Sequence, residues 1–142
     1  MAIKYLKTLD SDNFLKMFLL NEVGYSEQKS RQILAGFQFY KEDVNKCVKK
    51  LSGGEKIRVK LAELLQKKIN TLIFDEPTNH IDIPTKEVLE EAISDFNGTL
   101  IFVSHDRYFI NKFADKTVEF KDGKIQVFYG NYDYYKQQKL KK

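Results

Sequence analysis

Two short apolar runs, each followed by polar residues, constrain the fold of this chain more than any other feature. Residues 72–74 (Leu-Ile-Phe) lead into Asp75 and Glu76, and residues 100–103 (Leu-Ile-Phe-Val) lead towards His105. Continuous apolar runs of this length are typical of strands buried in a parallel sheet. The sequence therefore predicts two buried strands whose carboxyl ends carry acidic and imidazole side chains.

A helix is predicted between the two runs. Pro84 suits the first helical position, and Asn97-Gly98 is a stop signal. The apolar residues between these points follow helical spacing and are Val88, Leu89, Ala92, Ile93 and Phe96. Because a crossover helix joins strands that run in the same direction, we expect the two strands to be parallel.

Two helices are predicted in the first part of the chain, with Ser11 and Ser26 as their N-caps. Gly24 breaks the first of them. The apolar positions of the first helix are Phe14, Leu15, Phe18 and Leu19, and those of the second are Ile33, Leu34 and Phe37. This spacing places each set on one helical face.

A short third helix is predicted near residues 42–49, and a longer one follows it. Ser52 and Glu55 have the spacing of a capping box, which marks a helix N-terminus. The buried face of this longer helix is expected to carry Ile57, Leu61, Leu64 and Leu65. Helices therefore precede the first predicted strand.

The end of the chain is predicted to contain a hairpin between two helices. Phe109, Ile110 and Phe113 indicate a short helix, and Tyr132 begins a terminal one. Asp122-Gly123 joins two alternating strands, residues 117–120 and 125–129, as a hairpin turn. The predicted fold class is α/β, with a helical subdomain over residues 1–68 and an α/β part over residues 69–142.

Composition excludes several classes of protein. Apolar residues make up 42% of the 142 positions, enough for a packed core. No apolar run approaches the roughly 18 residues of a membrane span, so no membrane partner is expected. Cys47 is the only cysteine and there are two histidines, which excludes an intrachain disulfide and argues against a zinc site. These features fit a cytoplasmic protein.

The net charge of +4 has two readings that composition does not separate. Part of the excess lies in residues 46–50 and in the last seven residues. One reading is a solvated surface with a basic tail, and the other is contact with RNA phosphates.

Asp75 and Glu76 carry the chemistry that is expected of a phosphoryl-transfer site. Adjacent side chains of a strand point to opposite faces, so one carboxylate can hold magnesium while the other faces a water molecule. Phosphoryl transfer needs charge neutralisation and one group that orients the nucleophile. Asp75 fits the metal role and Glu76 the water-orienting role. The alternative is an ordinary strand end followed by an Asp-Glu-Pro turn.

Two further segments could contact phosphate. The glycines in Ser52-Gly53-Gly54 allow main-chain N–H groups at a helix N-terminus to approach an anion. The imidazole of His105, at the C-terminal end of a strand, can donate a hydrogen bond to a terminal phosphate. The alternatives are a plain N-cap closed by Glu55 and a structural histidine.

Together these segments resemble the ATP-binding cassette (ABC) ATPases. Leu51-Ser52-Gly53-Gly54-Glu55 is similar to the signature motif, and residues 72–76 are similar to Walker B with its catalytic glutamate. His80-Ile81-Asp82 is similar to the D-loop, and His105 to the switch histidine. Residues 75–82, 104–109 and 130–135 narrow the resemblance to the ABC-F branch, whose members have two cassettes in one chain and no membrane domain.

The resemblance implies a partial P-loop NTPase fold and roles for named residues. Glu76 and His105 would be catalytic, and Asp75 would hold Mg²⁺. Leu51, Ser52, Gly53, Gly54 and Glu55 would complete the ATP site of the other cassette, with Asp82 at the interface between them. Many members of the branch act on the ribosome, so ribosomal RNA is an expected partner.

The sequence departs from the family pattern in one important respect. A phosphate loop needs G-x-x-x-x-G-K-[ST], and the only Gly-Lys pair, Gly123-Lys124, is followed by Ile125. We therefore expect the chain to be part of one cassette, more similar to the second, with ATPase activity only in a parent protein. We expect the chain alone to be inactive and to self-associate through uncovered apolar surface. A non-enzymatic interaction module and an RNA-binding module are the alternatives.

Overall fold

A computed structural model describes Leu15 and residues 24–141. The helices are α1 (Glu27–Gly36), α2 (Gly53–Gln66), α3 (Ile83–Ser94), α4 (Arg107–Phe113) and α5 (Tyr132–Leu140). The strands are β1 (Thr71–Asp75), β2 (Thr99–Val103), β3 (Thr117–Lys121) and β4 (Lys124–Phe128). Their order follows the predicted one, with helices first and the α/β elements after them.

Helix α1 begins and packs as predicted. The Ser26 hydroxyl accepts a hydrogen bond from the main-chain N–H of Lys29, which satisfies one free donor of the first turn. Leu34 is fully buried in the core. The helix predicted after Ser11 lies outside the described residues except for Leu15, which is helical, buried and bonded through its N–H to the Lys46 carbonyl at 2.9 Å.

The prediction of one short helix near residues 42–49 was wrong. Two 3₁₀ turns, Lys41–Asn45 and Val48–Lys50, occupy this segment. Lys46 and Cys47 between them have extended backbone. The break allows both Val44 and Val48 to point into the core, where each is at most 2% exposed.

Helix α2 has the predicted capping box, and its inward face is wider than predicted. The Ser52 hydroxyl accepts from the Glu55 N–H at 3.2 Å, and the Glu55 carboxylate accepts from the Ser52 N–H at 2.8 Å. Of the four residues predicted to be inward, Leu61 is buried, Ile57 and Leu65 are half-buried and pack against the core, and Leu64 is half-buried. The other buried residues are Val59, Ala62 and Glu63. Val59 belongs to one buried cluster and Leu61 to the other, so α2 contributes to both.

Strands β1 and β2 pair in parallel, as predicted, with Leu72 opposite Leu100 and Phe74 opposite Phe102. The expectation that both strands would be buried on both faces was wrong. Leu72 and Phe74 are buried, whereas Ile73 is 41% exposed. Successive side chains of a strand face opposite sides, and in the described part of the chain helices cover only one side of this two-stranded sheet.

The crossover helix α3 starts at Ile83, so Pro84 is its second residue and not its first. Asp82 is the N-cap, and its carboxylate accepts from the Thr85 N–H at 2.9 Å. Proline is tolerated here because the first N–H groups of a helix have no partner within it.

Strands β3 and β4 form the predicted antiparallel hairpin, and α5 packs against one of its faces. Asp122 and Gly123 at the turn both have positive φ, which suits a two-residue hairpin connection. The rings of Phe128 and Tyr135 meet edge to face with centroids 5.0 Å apart. The Tyr135 hydroxyl donates to Glu119 at 2.7 Å.

Two clusters of buried apolar residues form the core. One joins Leu15, Leu34, Phe39, Val44, Val48, Leu51 and Val59, and the other joins Leu61, Leu72, Phe74, Leu89, Ile93 and Phe109. Phe37 packs against both clusters. The division of the chain after residue 68 stays a prediction. Within the described residues, none of the helices has the length and apolar character to cross a membrane.

Candidate functional site

Glu76 and His105 lie together at the carboxyl ends of β1 and β2. Glu76 Oε2 accepts a hydrogen bond from the His105 main-chain N–H at 3.1 Å, and Glu76 Oε1 is 3.4 Å from His105 Nε2. The Glu76 N–H donates to the Val103 carbonyl at 2.8 Å, which ties the ends of the two strands together. The Glu76 side chain is 21% exposed and that of His105 is 92% exposed. The carboxylate is therefore fixed while the imidazole reaches into solvent.

The backbone separates Asp75 from Glu76. Asp75 is the last residue of β1 and is exposed, whereas Glu76 has left the strand with a positive φ of 47°. A non-glycine residue in this left-handed region is uncommon, and such residues are concentrated at functional sites. The turn aims the Glu76 carboxylate at His105, and Asp75 stays free of any described side-chain partner.

The segment 51–55 at the start of α2 is held by its own side chains. Leu51 is 5% exposed and belongs to the core, so it anchors the segment. Lys46 Nζ contacts Glu55 Oε1 at 2.7 Å. Burial raises the pKa of Glu55, but the bonds from Lys46 and Ser52 outweigh it and hold that pKa below its usual value. Because Glu55 stays ionised, the cap that positions Ser52 persists at neutral pH.

The Ser52 hydroxyl is exposed and interacts with Glu55. Its oxygen accepts from the Glu55 N–H at 3.2 Å, and a bond between the Ser52 and Glu55 side chains helps to hold the pKa of Glu55 below its usual value. The first N–H groups of a helix have no partner within it. An anion at the N-terminus of α2 could therefore be bound by the main-chain N–H groups of Gly53 and Gly54.

Gly54 brings the starts of α2 and α3 into close contact. A Cβ atom at this position would lie 2.7 Å from Thr85 Oγ1 and 3.0 Å from the nearer oxygen of Asp82. No other residue type fits there without displacing Asp82 or Thr85. Gly53, in contrast, has open space around its Cα. Gly54 and Asp82 belong to separate motifs in the sequence, and in the structure they lie close together.

Asp106 adjoins the candidate site and was not singled out by sequence reasoning. Its carboxylate accepts from the N–H groups of Tyr108 and Phe109 at the start of α4, and Lys86 of α3 contacts it at 2.7 Å. The bond from Lys86 holds the pKa of Asp106 below its usual value. An Asp directly before a helical apolar pattern was the available signal for this N-cap. Asp106 fixes the backbone immediately after His105.

No three described residues of the metal-binding types form a group that could enclose an ion. The exposed Asp75 nevertheless suits Mg²⁺, because this ion commonly takes one or two carboxylates and fills its other positions with waters and phosphates. The donor set therefore fits a magnesium ion that arrives with a nucleotide.

The family model described as ABC transporter matches residues 3–79, more than half of the chain. The chain belongs to the ATP-binding cassette family. The matched range contains the segment 51–55 together with Asp75 and Glu76, whereas Asp82 and His105 lie beyond its end.

Named relatives place the chain in the ABC-F branch. YdiF of Bacillus subtilis (strain 168) is 52% identical over 116 residues, which are 82% of this chain and 18% of the relative. ABC transporter F family member 2 of Arabidopsis thaliana is 43% identical over 74% of the chain and 16% of its own length. The energy-dependent translational throttle protein EttA of Escherichia coli (strain K12) is 41% identical over 83% of the chain and 21% of its own length. The chain thus spans about a fifth of each relative.

Solved structures share the fold. The dimeric, post-hydrolysis state of the ATP-binding cassette MJ0796 bound to ADP and Pi has a TM-score of 0.69, with 90% of this chain and 61% of that chain covered. RNase-L Inhibitor has a TM-score of 0.64, with 94% of this chain and 28% of that one covered. At 20% identity, these likenesses concern the fold alone. The architecture is that of part of an ABC ATPase domain, a P-loop NTPase fold.

Proposed function

We propose that this chain supplies the water-activating and phosphate-sensing part of an ABC-F ATPase that closes as a clamp. The observation that carries the proposal is the contact between the Glu76 carboxylate and both the main-chain N–H and Nε2 of His105. Besides charge neutralisation, ATP hydrolysis needs two protein groups. One is a positioned carboxylate that orients water, and the other is a hydrogen-bond donor that reaches the terminal phosphate.

In this proposal Glu76 orients the attacking water, and His105 donates a hydrogen bond towards the terminal phosphate of ATP. Asp75 would hold Mg²⁺, which neutralises phosphate charge when it is bound. The rigid support of Glu76 by two main-chain bonds favours this division of roles, because a catalytic group acts best when it is held in place before the reaction. The exposed imidazole of His105 is free to contact a ligand.

A second nucleotide is proposed to bind across the clamp at the segment 51–55. Ser52, Gly53 and Gly54 would contact its phosphates through the hydroxyl and the main-chain N–H groups at the start of α2. Leu51 and Glu55 would hold the segment in place, and Asp82 would couple it to the interface. The tight contact of Gly54 with Asp82 supports this coupling.

The partners follow from the same proposal. The chain has no phosphate loop of its own, so we infer that the isolated chain does not hydrolyse ATP and that a phosphate loop and a second cassette complete the site. The helical part, residues 1–68, and the α/β part, residues 69–142, would act as its two units. The name of EttA, a translational throttle protein, supports action on the ribosome, and therefore in the cytoplasm.

The test is an exchange experiment in EttA. The matching segment of EttA is replaced by this chain, and ATP turnover is measured with and without Glu76→Gln. We expect the exchanged protein to hydrolyse ATP and Glu76→Gln to reduce kcat at least about a hundredfold, since it removes the group that orients the nucleophile. The matched control is Glu87→Gln, at an exposed position of α3, which should leave turnover unchanged. Unchanged kcat in Glu76→Gln with intact ATP binding would refute the proposal.

The inactivity of the isolated chain is tested separately by calorimetric titration with Mg-ATP. We expect no binding at micromolar concentrations, because the phosphate cradle and its lysine are absent from the sequence. Micromolar affinity of the monodisperse chain would contradict this and would favour a self-assembled site.

A further inference from the structure

Three cationic side chains and two tyrosine rings lie in two groups next to the turn between β4 and α5. The Arg107 guanidinium lies 5.5 Å from the centre of the Tyr132 ring, and Lys136 Nζ lies 5.8 Å from the same centre. Lys116 Nζ lies 5.5 Å from the centre of the Tyr129 ring. We call these five residues the turn patch. None of them belongs to the site of Glu76 and His105.

Contacts within the chain hold the turn patch in one place. The Thr117 hydroxyl donates to the Gly130 carbonyl at 2.9 Å, so the residue after Lys116 is fixed beside the turn. The Asp133 N–H donates to Asn111 Oδ1 at 3.0 Å, which fixes the start of α5 against α4. The patch therefore combines one residue of α4, two residues of α5 and the two residues that flank the β3–β4 hairpin.

The cations of the turn patch are not neutralised by carboxylates. Over the described residues, Lys86, Lys112 and Lys139 each form an ion pair with an acid, whereas Arg107, Lys116 and Lys136 form none. All three of the unpaired cations are exposed. Asp115 and Asp133 adjoin the patch and are exposed, but neither comes within 4.0 Å of its cations. Each cation is instead held over a ring, which leaves its N–H donors free.

Tyr129 offers a surface of a different kind. Its side chain is 74% exposed although it is aromatic and lies in a folded turn. An exposed ring beside uncompensated cations is the combination that binds single-stranded nucleic acid, in which a base stacks on the ring and phosphates contact the cations.

We propose that the turn patch binds single-stranded RNA, with Arg107, Lys116 and Lys136 on phosphates and Tyr129 stacked against an unpaired base. Double-stranded nucleic acid fits less well because its bases are not free to stack on an exposed ring. An anionic membrane fits less well because a flat negative surface cannot avoid the exposed Asp115 and Asp133, whereas a flexible single strand can. This surface agrees with the proposed action on the ribosome but does not depend on ATP binding.

The test measures binding of a fluorescein-labelled uridine 20-mer to the full 142-residue chain by fluorescence anisotropy, at several salt concentrations. The patch variant is the triple change Arg107→Gln, Lys116→Gln and Lys136→Gln. The charge-matched control is the triple change Lys29→Gln, Lys68→Gln and Lys124→Gln, at exposed positions with no ion pair in the described structure. Circular dichroism establishes that each variant is folded.

We expect the patch variant to bind RNA at least about tenfold more weakly at roughly 100 mM salt. We also expect the slope of the logarithm of the binding constant against the logarithm of salt concentration to decrease in magnitude by about 2, since three phosphate contacts are lost. The control should lose less than about threefold. Equal losses in the two triple variants would overturn the proposal, because general charge would then explain binding. No detectable binding by the unchanged chain at low salt would overturn it as well.

The stacking step has its own pair of variants. Tyr129→Leu should weaken RNA binding about fivefold or more, whereas Tyr129→Phe should stay within about twofold, because it keeps the ring. If Tyr129→Leu binds as tightly as the unchanged chain, the base contact is wrong. The RNA assay contains no ATP, so a negative result in it does not contradict the ATPase proposal. A negative result in the EttA exchange does not contradict RNA binding by the turn patch.

Discussion

Glu76 contacts His105 in two independent ways: its Oε2 accepts from the His105 main-chain N–H, and its Oε1 lies 3.4 Å from the His105 imidazole. The first contact exists whatever side chain stands at position 105. The second depends on the imidazole. Substitution of His105 can therefore remove a chemical group without releasing the carboxylate from the end of β2.

The change His105→Ala is expected to leave stability intact and to slow turnover. The side chain is 92% exposed, so its loss should change the free energy of unfolding by less than about 0.5 kcal/mol. In EttA carrying this chain, kcat should fall at least about tenfold, because the donor to the phosphate is gone. Urea denaturation and steady-state ATP turnover measure the two effects. A loss of stability that accounts for the lost turnover would show a structural histidine instead.

Two neighbouring glycines should respond differently to one added methyl group. Gly54→Ala places Cβ 2.7 Å from Thr85 Oγ1, and we expect it to destabilise the chain by about 1–3 kcal/mol through overpacking. Gly53→Ala meets open space and should be neutral or stabilising by up to about 1 kcal/mol. Thermal unfolding of both variants measures the difference. Equal midpoints would mean that α2 and α3 are not in close contact.

The β1–α3–β2 unit and the helix caps were predictable because their causes are local. Apolar run length indicated the strands, and Ser26 and Ser52 are N-caps because their hydroxyls bond to N–H groups three residues on. The parallel pairing followed from the crossover helix between the runs. Each of these features depends on residues close together in sequence.

Features that depend on distant residues were not predictable in the same way. Which faces of β1 are covered depends on helices elsewhere, so Ile73 was wrongly expected to be buried. The buried face of α2 is wider than predicted, and it includes Glu63, a charged residue that is only 2% exposed. Its burial depends on two lysines that contact it, and hydrophobic periodicity does not register such pairs.

Glu63 should make the stability of the chain sensitive to acid. Its carboxylate contacts Lys60 at 2.6 Å and Lys67 at 2.5 Å. Burial raises the pKa of Glu63, but these two bonds outweigh it and hold the pKa below its ordinary value of 4.5. A carboxyl group whose pKa is lower in the folded state than in the unfolded state stabilises the fold at pH values above its unfolded pKa. This stabilisation is lost as the pH falls through the folded pKa.

We therefore expect Glu63→Gln to lower the free energy of unfolding by about 1–3 kcal/mol at pH 7 and to reduce its decline between about pH 5 and pH 3. Urea denaturation across this range is the measurement. Glu87→Gln, at an exposed position without an ion pair, is the control and should follow the unchanged chain. If the free energy of unfolding of Glu63→Gln declines with falling pH as steeply as that of the control, Glu63 does not contribute to the acid sensitivity.

The uncovered face of the β1–β2 sheet should cause the isolated chain to self-associate. Ile73, Ile101 and Val103 are 41%, 53% and 62% exposed on this face. Adjacent exposed apolar side chains on a sheet favour association with another copy.

The double change Ile73→Thr and Ile101→Thr should increase the monomer fraction in light scattering at high concentration, because threonine keeps the strand preference and removes apolar area. Ile83→Thr is the matched control, since Ile83 is 75% exposed on α3 and away from the sheet. An unchanged chain that stays monomeric at high concentration would contradict the prediction, and an equal response to both changes would place the contact elsewhere.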